Sequence, residues 1–243
     1  MLQFRRFIAV VALSLASSAG ALASGGSPDS DNLADTLARK APGLDRAVLA
    51  KALAAMDCAV EAGLPAAPRL AVIDFSLPSS EPRLWIFDLA RKALVLEDLV
   101  AHGRNSGDNL ATAFSNREGS HQSSIGLFRA AESYVGRHGY SLRMDGLEPG
   151  INDKARDRAI VIHGADYVDP EWIERHGRIG RSQGCPAVRQ AVAGKVVDSL
   201  KDGQFLFSYY PDRQWLRTSP YLNCQSERVA GLAAQPHGAP EES

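Results

Sequence analysis

The segment "AIVIHGAD", residues 159–166, packs alanine, isoleucine, valine and isoleucine ahead of a histidine and a glycine, between Arg158 and Tyr167. A short run this apolar reads as a strand buried on both faces, and therefore central in its sheet. Working outward, the same texture recurs in "RLAVIDFSL" (69–77), "RLWIFDLA" (83–90), "ALVLEDLVAHG" (93–103), "SIGLFRA" (124–130), "YSLRMDG" (140–146) and "QFLFSYYP" (204–211). These runs are rich in branched and aromatic residues and are separated by Gly, Pro, Asn, Asp and Ser, the punctuation of a mostly antiparallel β structure. Two segments change period. Leu44, Val48, Leu49, Leu53, Met56 and Val60 recur at helical steps up to Gly63, which predicts an amphipathic helix against the sheet. The stretch "PAVRQAVAGKVVDSLKDG" (186–203) repeats Val188, Val192 and Val196 at four-residue steps before Gly203. It predicts a second helix with Pro186 at its first position and Cys185 as N-cap. The expected fold class is α+β and β-rich.

The ends of the chain differ from this body. Residues 1–23 place Arg5 and Arg6 before an apolar run from Phe7 to Ala16 and finish on Ala21-Leu22-Ala23. That is the pattern of a secretory signal peptide cut after Ala23, since the apolar run is too short to span a bilayer. The expectation is export to a periplasm without stable membrane insertion after processing. Residues 24–32 read as a polar leader, 33–224 as one catalytic domain, and 225–243 as a tail too poor in apolar pattern to join a core. Losing the two arginines moves the formal charge from −1 to −3. Such a balance excludes nucleic acid as an electrostatic partner.

The chain has three cysteines. In an oxidising compartment Cys58 and Cys224 are expected to pair and leave Cys185 free, the competing reading being that both are small buried apolar residues. Cys185 lies in "RSQGCPAV", residues 181–188. A thiol attacks carbonyls as the thiolate, and a helix N-terminus stabilises that anion. Gly184 permits a tight turn and close substrate approach, its N–H and that of Cys185 can meet a developing oxyanion, and Ser182 adds a hydroxyl. A thiol nucleophile needs a base on a rigid element. Of six histidines, His237 falls in the tail and His121, His138 and His176 in turns. His102 and His163 each end an apolar strand and precede glycine, and spacing does not choose between them. No C-x-x-C or H-x-x-x-H pattern completes a zinc or redox site around Cys185, so neither metal nor cofactor is expected.

Taken in order, "LWIFDL", "VAHGRNSG", "FSNREGSHQSSIGLF", "SLRMDGLEPGINDKARDRAIVIHGADYV" and "GRSQGCPAV" resemble the murein L,D-transpeptidase catalytic-domain branch of the YkuD-type L,D-transpeptidases, over residues 69–212. The resemblance implies a mixed β sandwich and a cysteine acyltransferase acting on peptidoglycan. A thiolate attacks a donor stem peptide, a terminal D-alanine leaves, and the thioester passes to the side-chain amine of an acceptor stem, giving a 3→3 crosslink. By position, Cys185 is the nucleophile and His163 the base, with Ser182, Gly184 and Gly164 shaping the turn and the oxyanion contacts. Carbapenem-type β-lactams are the implied covalent inhibitors. Two departures stand out. Gln183 occupies a place where many relatives carry histidine, so a second histidine near the thiol is expected to be absent, and Ala187 stands where arginine or asparagine is common. Substrate contacts are then expected from His102, Ser123, Arg158, Arg181 and Arg189. Two rival readings keep other outcomes open: water resolves the thioester, making a hydrolase, or the chain binds peptidoglycan without catalysis.

Overall fold

The computed structural model describes residues 28–224. The expected signal peptide, the first part of the leader and the tail from Gln225 lie outside those residues. Within them the order is α1 (Pro28–Ala38), α2 (Arg46–Glu61), β1 (Arg69–Asp74), β2 (Leu84–Asp88), β3 (Ala93–Asp98), β4 (Val100–Ala101), β5 (Gly126–Gly136) and β6 (Gly139–Gly146). It continues with β7 (Val161–Ala165), α3 (Pro170–His176), β8 (Ala187–Arg189), α4 (Gln190–Leu200), β9 (Phe205–Tyr209) and α5 (Arg213–Thr218). All seven apolar runs read as strands are strands.

The nine strands hydrogen-bond in the order β3-β2-β1-β9-β5-β6-β7-β8-β4. Pairings are antiparallel except β1 with β9 and β7 with β8. The two ends of this order, β3 and β4, are separated in the chain by Leu99 alone. A sheet whose edges are covalent neighbours must curl back on itself, and it does so around a filled interior, as the expected mixed sandwich requires. Arg83 bridges the closure: it is fully buried, its Nε and Nη2 both donate to the Val100 carbonyl, and Nη1 donates to that of Leu77.

Alternation along the strands feeds two packed layers. One face buries Leu70, Val72, Trp85, Phe87, Phe205 and Phe207 against α1 and α2. The other buries Ala71, Ile73, Ile86, Leu142, Ile162 and Val188 against Val196, Val197 and Leu200 of α4. Helix α2 matches its periodicity, with Val48, Leu49, Leu53 and Met56 buried, and Asp45 caps it by accepting from the Ala47 N–H. Cys58 on α2 and Cys224 form a disulfide across 166 residues, and Cys185 is the free cysteine.

Two expectations are corrected. Residues 28–32, read as leader, belong to α1, whose Ala34 and Leu37 are fully buried. The second helix begins at Gln190 rather than Pro186, because Ala187–Arg189 form β8, slotted between β7 and β4. Helical periodicity here lost to the backbone pairing and burial that a place between two strands offers. Cys185 is therefore no helix N-cap: that place is taken by Arg189.

Candidate functional site

Strand β7 carries His163, and the parallel ladder sets it beside Ala187 of β8, two residues beyond Cys185. The two residues singled out in the sequence, 22 positions apart, thus lie one on β7 and one in the turn that leads into the adjacent β8. The turn before β8 is pinned internally. The Ser182 hydroxyl donates to the Cys185 carbonyl (2.6 Å) and accepts from the Gly184 N–H (3.0 Å). Gly184 sits at φ +126°, and a Cβ there would lie 2.9 Å from the Gln122 carbonyl oxygen. Only glycine is at ease in that conformation. Ser182 holds the turn from one side, through its N–H to the His102 carbonyl (2.9 Å), and Ser123 from the other, through its hydroxyl to the Gly184 carbonyl (3.0 Å).

Because the Gly184 N–H is committed to Ser182, it is not available to an oxyanion, contrary to the expectation from the motif. The Cys185 N–H bears on its own sulfur and on no side-chain hydroxyl among the described residues. The half-buried Cys185 sulfur accepts from the Val161 N–H (3.5 Å) and lies 3.7 Å from the Ala159 carbonyl oxygen. Burial pushes the thiol pKa up, and the Val161 N–H and the charge of Arg158 offset part of that rise. A thiol pushed in that direction calls for a base to become a nucleophile.

His163, the expected base, is held by the backbone. It is 4% exposed, and its Nδ1 donates to the Gly164 carbonyl (2.9 Å). That bond assigns the proton to Nδ1 and leaves Nε2 as an acceptor, with no protein partner among the described residues. Burial pushes its pKa down, the Gly164 carbonyl counters, and His138 adds to the lowering. Gly164 itself, expected at the turn, lies within β7, where its missing side chain lets α4 approach: a Cβ would stand 2.3 Å from Gln190 Oε1.

A residue set aside in the sequence enters here. His138, in the two-residue turn between β5 and β6, stacks on His163 with ring centroids 4.5 Å apart and planes 28° apart. A second histidine thus meets the His163 ring from a different element, the β5–β6 turn. No local pattern announces it, since a turn histidine in "VGRHGY" gains its meaning only from the strand it folds over.

The remaining candidates are engaged within the chain. His102, expected on the cleft wall, is fully buried, and its Nδ1 meets Arg83 Nη2 at 2.8 Å. Ser123 is buried and joins the Gly103 N–H to the Gly184 carbonyl. These two correct the expectation of substrate contact: both brace the turn from beneath. Arg189 grips the buried Asp98 with both nitrogens at 2.6 Å, and Arg181 binds the Gly107 carbonyl and Asp108. Arg158, the candidate whose charge reaches the thiol, clamps Ser120 and the Gln122 carbonyl (2.7 Å).

Two grooves adjoin these residues. One of about 650 Å³ runs past Arg158 with Arg117, Glu118, Asp153 and Lys154. The other, of about 400 Å³, lies on the His138 side with Arg137, Gly164, Asp166, Tyr167 and Gln190. Among the described residues no cluster of three metal-ligating side chains occurs, and no helix is long and apolar enough to cross a membrane.

A family model described as the L,D-transpeptidase catalytic domain matches residues 40–209, well over half of the chain. No curated protein matches. Solved structures with similarity include an L,D-transpeptidase from Mycobacterium smegmatis, at 12% identity and TM-score 0.37, with 59% of each chain covered. The helical cell shape determining protein Pgp2 from Campylobacter jejuni matches at 12% identity and TM-score 0.40, over 68% of this chain and 53% of that one. An L,D-transpeptidase from Stackebrandtia nassauensis matches at 12% identity and TM-score 0.36, over 82% of this chain and 99% of that one. The chain spans between half and three fifths of the first two of these proteins.

Proposed function

The chain belongs to the L,D-transpeptidase catalytic-domain family, and from that premise we propose that it is an exported cysteine acyltransferase that crosslinks peptidoglycan stem peptides through a thioester on Cys185. The observation that carries this reading is the free thiol in the turn that leads into β8, beside the β7 strand that carries a histidine whose Nδ1 is locked to the Gly164 carbonyl. Export agrees with the oxidised Cys58–Cys224 pair.

In this mechanism thiol and imidazole are both neutral at rest. His163 Nε2 takes the thiol proton as sulfur attacks the donor carbonyl, a geometry that tightens when substrate is bound. Negative charge gathers on the carbonyl oxygen, where the Cys185 N–H is the donor that no side-chain hydroxyl holds. Collapse expels the D-alanine amine, which takes the proton back from His163 and leaves a thioester. The acceptor amine then attacks, gives its proton to His163, and releases the thiolate, which regains a proton from the imidazolium. Ser182 and Gly184 serve by holding the sulfur and the Cys185 N–H in one turn. The Arg158 groove supplies charges of both signs for a stem peptide that bears carboxylates and an amine.

The experiment is intact mass of the protein and of its Cys185→Ala variant after incubation with disaccharide-tetrapeptide, with muropeptides analysed in parallel. The expected result is an acyl adduct on the parent alone together with joined muropeptides. D-Alanine release without joining identifies a hydrolase. No adduct from either muropeptide or a carbapenem overturns catalysis in favour of a binding role.

A further inference from the structure

We infer that His138 is a positioning residue for His163: from the tip of the β5–β6 hairpin it lays its ring on the imidazole and, with the Gly164 carbonyl, fixes that ring's orientation. The inference rests on the role proposed for His163 and extends it to an element outside the cysteine motif.

The geometry has three parts. First, the contact is a stack, 4.5 Å between centroids at 28°, so it restrains the ring plane, whereas the Gly164 carbonyl at 2.9 Å restrains only rotation about the Nδ1 edge. Together the two restraints leave Nε2 as the one nitrogen free to work. Second, the contact is asymmetric in burial: His163 is buried and His138 is exposed, so the hairpin tip acts as a roof and the base as its floor. Third, the tip is built to hold one place. Gly136 pairs with Gly139 directly across the Arg137–His138 turn, and Gly139 takes φ +75°, the left-handed step that suits glycine after a tight turn.

A second histidine against the base also acts through charge. A charge on His138 opposes a proton on His163 at contact distance, which lowers the His163 pKa. The other charged or titratable groups in the groove beside His138 and Gly164 are Arg137 on the hairpin and Asp166 and Tyr167 beyond β7. Arg189, near the end of the ladder, is neutralised by Asp98. His138 is the charged group that bears on the His163 titration, and it opposes protonation. The stack therefore favours the neutral base that the proposed mechanism requires.

The test compares the parent with His138→Phe, which keeps a ring without a charge, and His138→Ala, which removes both. The His163 titration is followed by NMR of labelled histidine, a readout that needs no substrate. In parallel, Cys185 acylation by a carbapenem is timed above the titration midpoints. Removing a like charge should raise the His163 midpoint in both variants. Acylation should fall about tenfold in His138→Ala, the scale of a modest loss of alignment, and recover in His138→Phe. An unmoved midpoint in both variants, or an acylation rate in His138→Ala equal to the parent's, overturns the inference. A parent that no carbapenem acylates fails the functional reading instead, while the midpoints still judge the contact.

Discussion

At the scale of single residues, the chemistry turns on two groups whose surroundings push them toward neutrality. Burial raises the Cys185 thiol above its ordinary range and lowers His163 below its own. Without the helix N-terminus expected at Pro186, the anion has the Val161 N–H, the nearby charge of Arg158 and its own backbone N–H in its favour. Alkylation of the free enzyme by iodoacetamide should therefore be slow at neutral pH and keep climbing above pH about 8.5, the ordinary thiol range. Arg158→Gln should move the rise further into alkali, because it removes a cation that favours the thiolate. A rate that has levelled off by pH 7 would instead reveal a preformed thiolate–imidazolium pair. Cys185 stood out locally, beside a glycine in a chain with three cysteines, whereas local pattern left His163 level with His102 and the family resemblance chose between them. Their partners were not legible. That Ser182 consumes the Gly184 N–H, that His102 is buried against Arg83, and that His138 covers His163 are all consequences of folding distance.

Between elements, the strands were readable because a strand covered on both faces needs a nearly continuous apolar run, and each such run here is a strand. Helix α2 was equally plain, with an apolar stripe closed by Gly63. The error at β8 is instructive. "PAVRQAVAGKVV" satisfies helical spacing from its first residue, yet Ala187 and Val188 are fully buried between β7 and β4. Burial between two ladders outweighs a periodicity that the sequence carries equally well either way. Helix α3 left a signal that the apolar runs overshadowed: Asp169 caps, Pro170 opens, and Gly177 closes it in the left-handed conformation. The junction of β7 with α4 offers a test. A methyl on Gly164 would come within 3.0 Å of the Ala193 Cβ as well as meeting Gln190. Gly164→Ala should cost about 1–3 kcal/mol of overpacking, read by urea unfolding. Ala193→Gly in the same chain should recover part of the loss beyond additivity, since the two positions touch. Full additivity of the pair would mean that the strain lies elsewhere.

For the whole molecule, the curled sheet closes through a buried polar group rather than through apolar packing alone. Arg83 sits beneath the β3–β4 junction, tied to the Leu77 and Val100 carbonyls and to His102 Nδ1. No sequence pattern marks such a rivet, because an arginine before an apolar strand usually faces water. The bond to His102 requires a neutral imidazole that accepts from the guanidinium. Burial, with the Arg83 charge as the next cause, pushes the His102 pKa down to about 4. A base whose folded pKa lies below its unfolded value stabilises the fold fully above the unfolded value, near 6.5, and loses that contribution as pH falls toward 4. Between pH 7 and pH 5 the loss should approach about 2 kcal/mol, from 1.36 kcal/mol for each pH unit in that window. Buried carboxyls act in the opposite sense: burial raises the pKa of both Asp74 and Glu148, so they favour the fold as pH falls. His102→Gln separates the two effects. It gives the Arg83 guanidinium a neutral acceptor that does not titrate, so the variant should be less stable than the parent at pH 7 and should lack the parent's decline between pH 7 and pH 5 in denaturant unfolding. The turn that carries Cys185 hangs from the His102 carbonyl through the Ser182 N–H. Loosening of the closure at low pH should therefore reach the catalytic turn, and the same titration followed by protease sensitivity of residues 181–186 should show it. An acid decline of equal depth in parent and variant would place the pH-sensitive contact outside the Arg83–His102 pair.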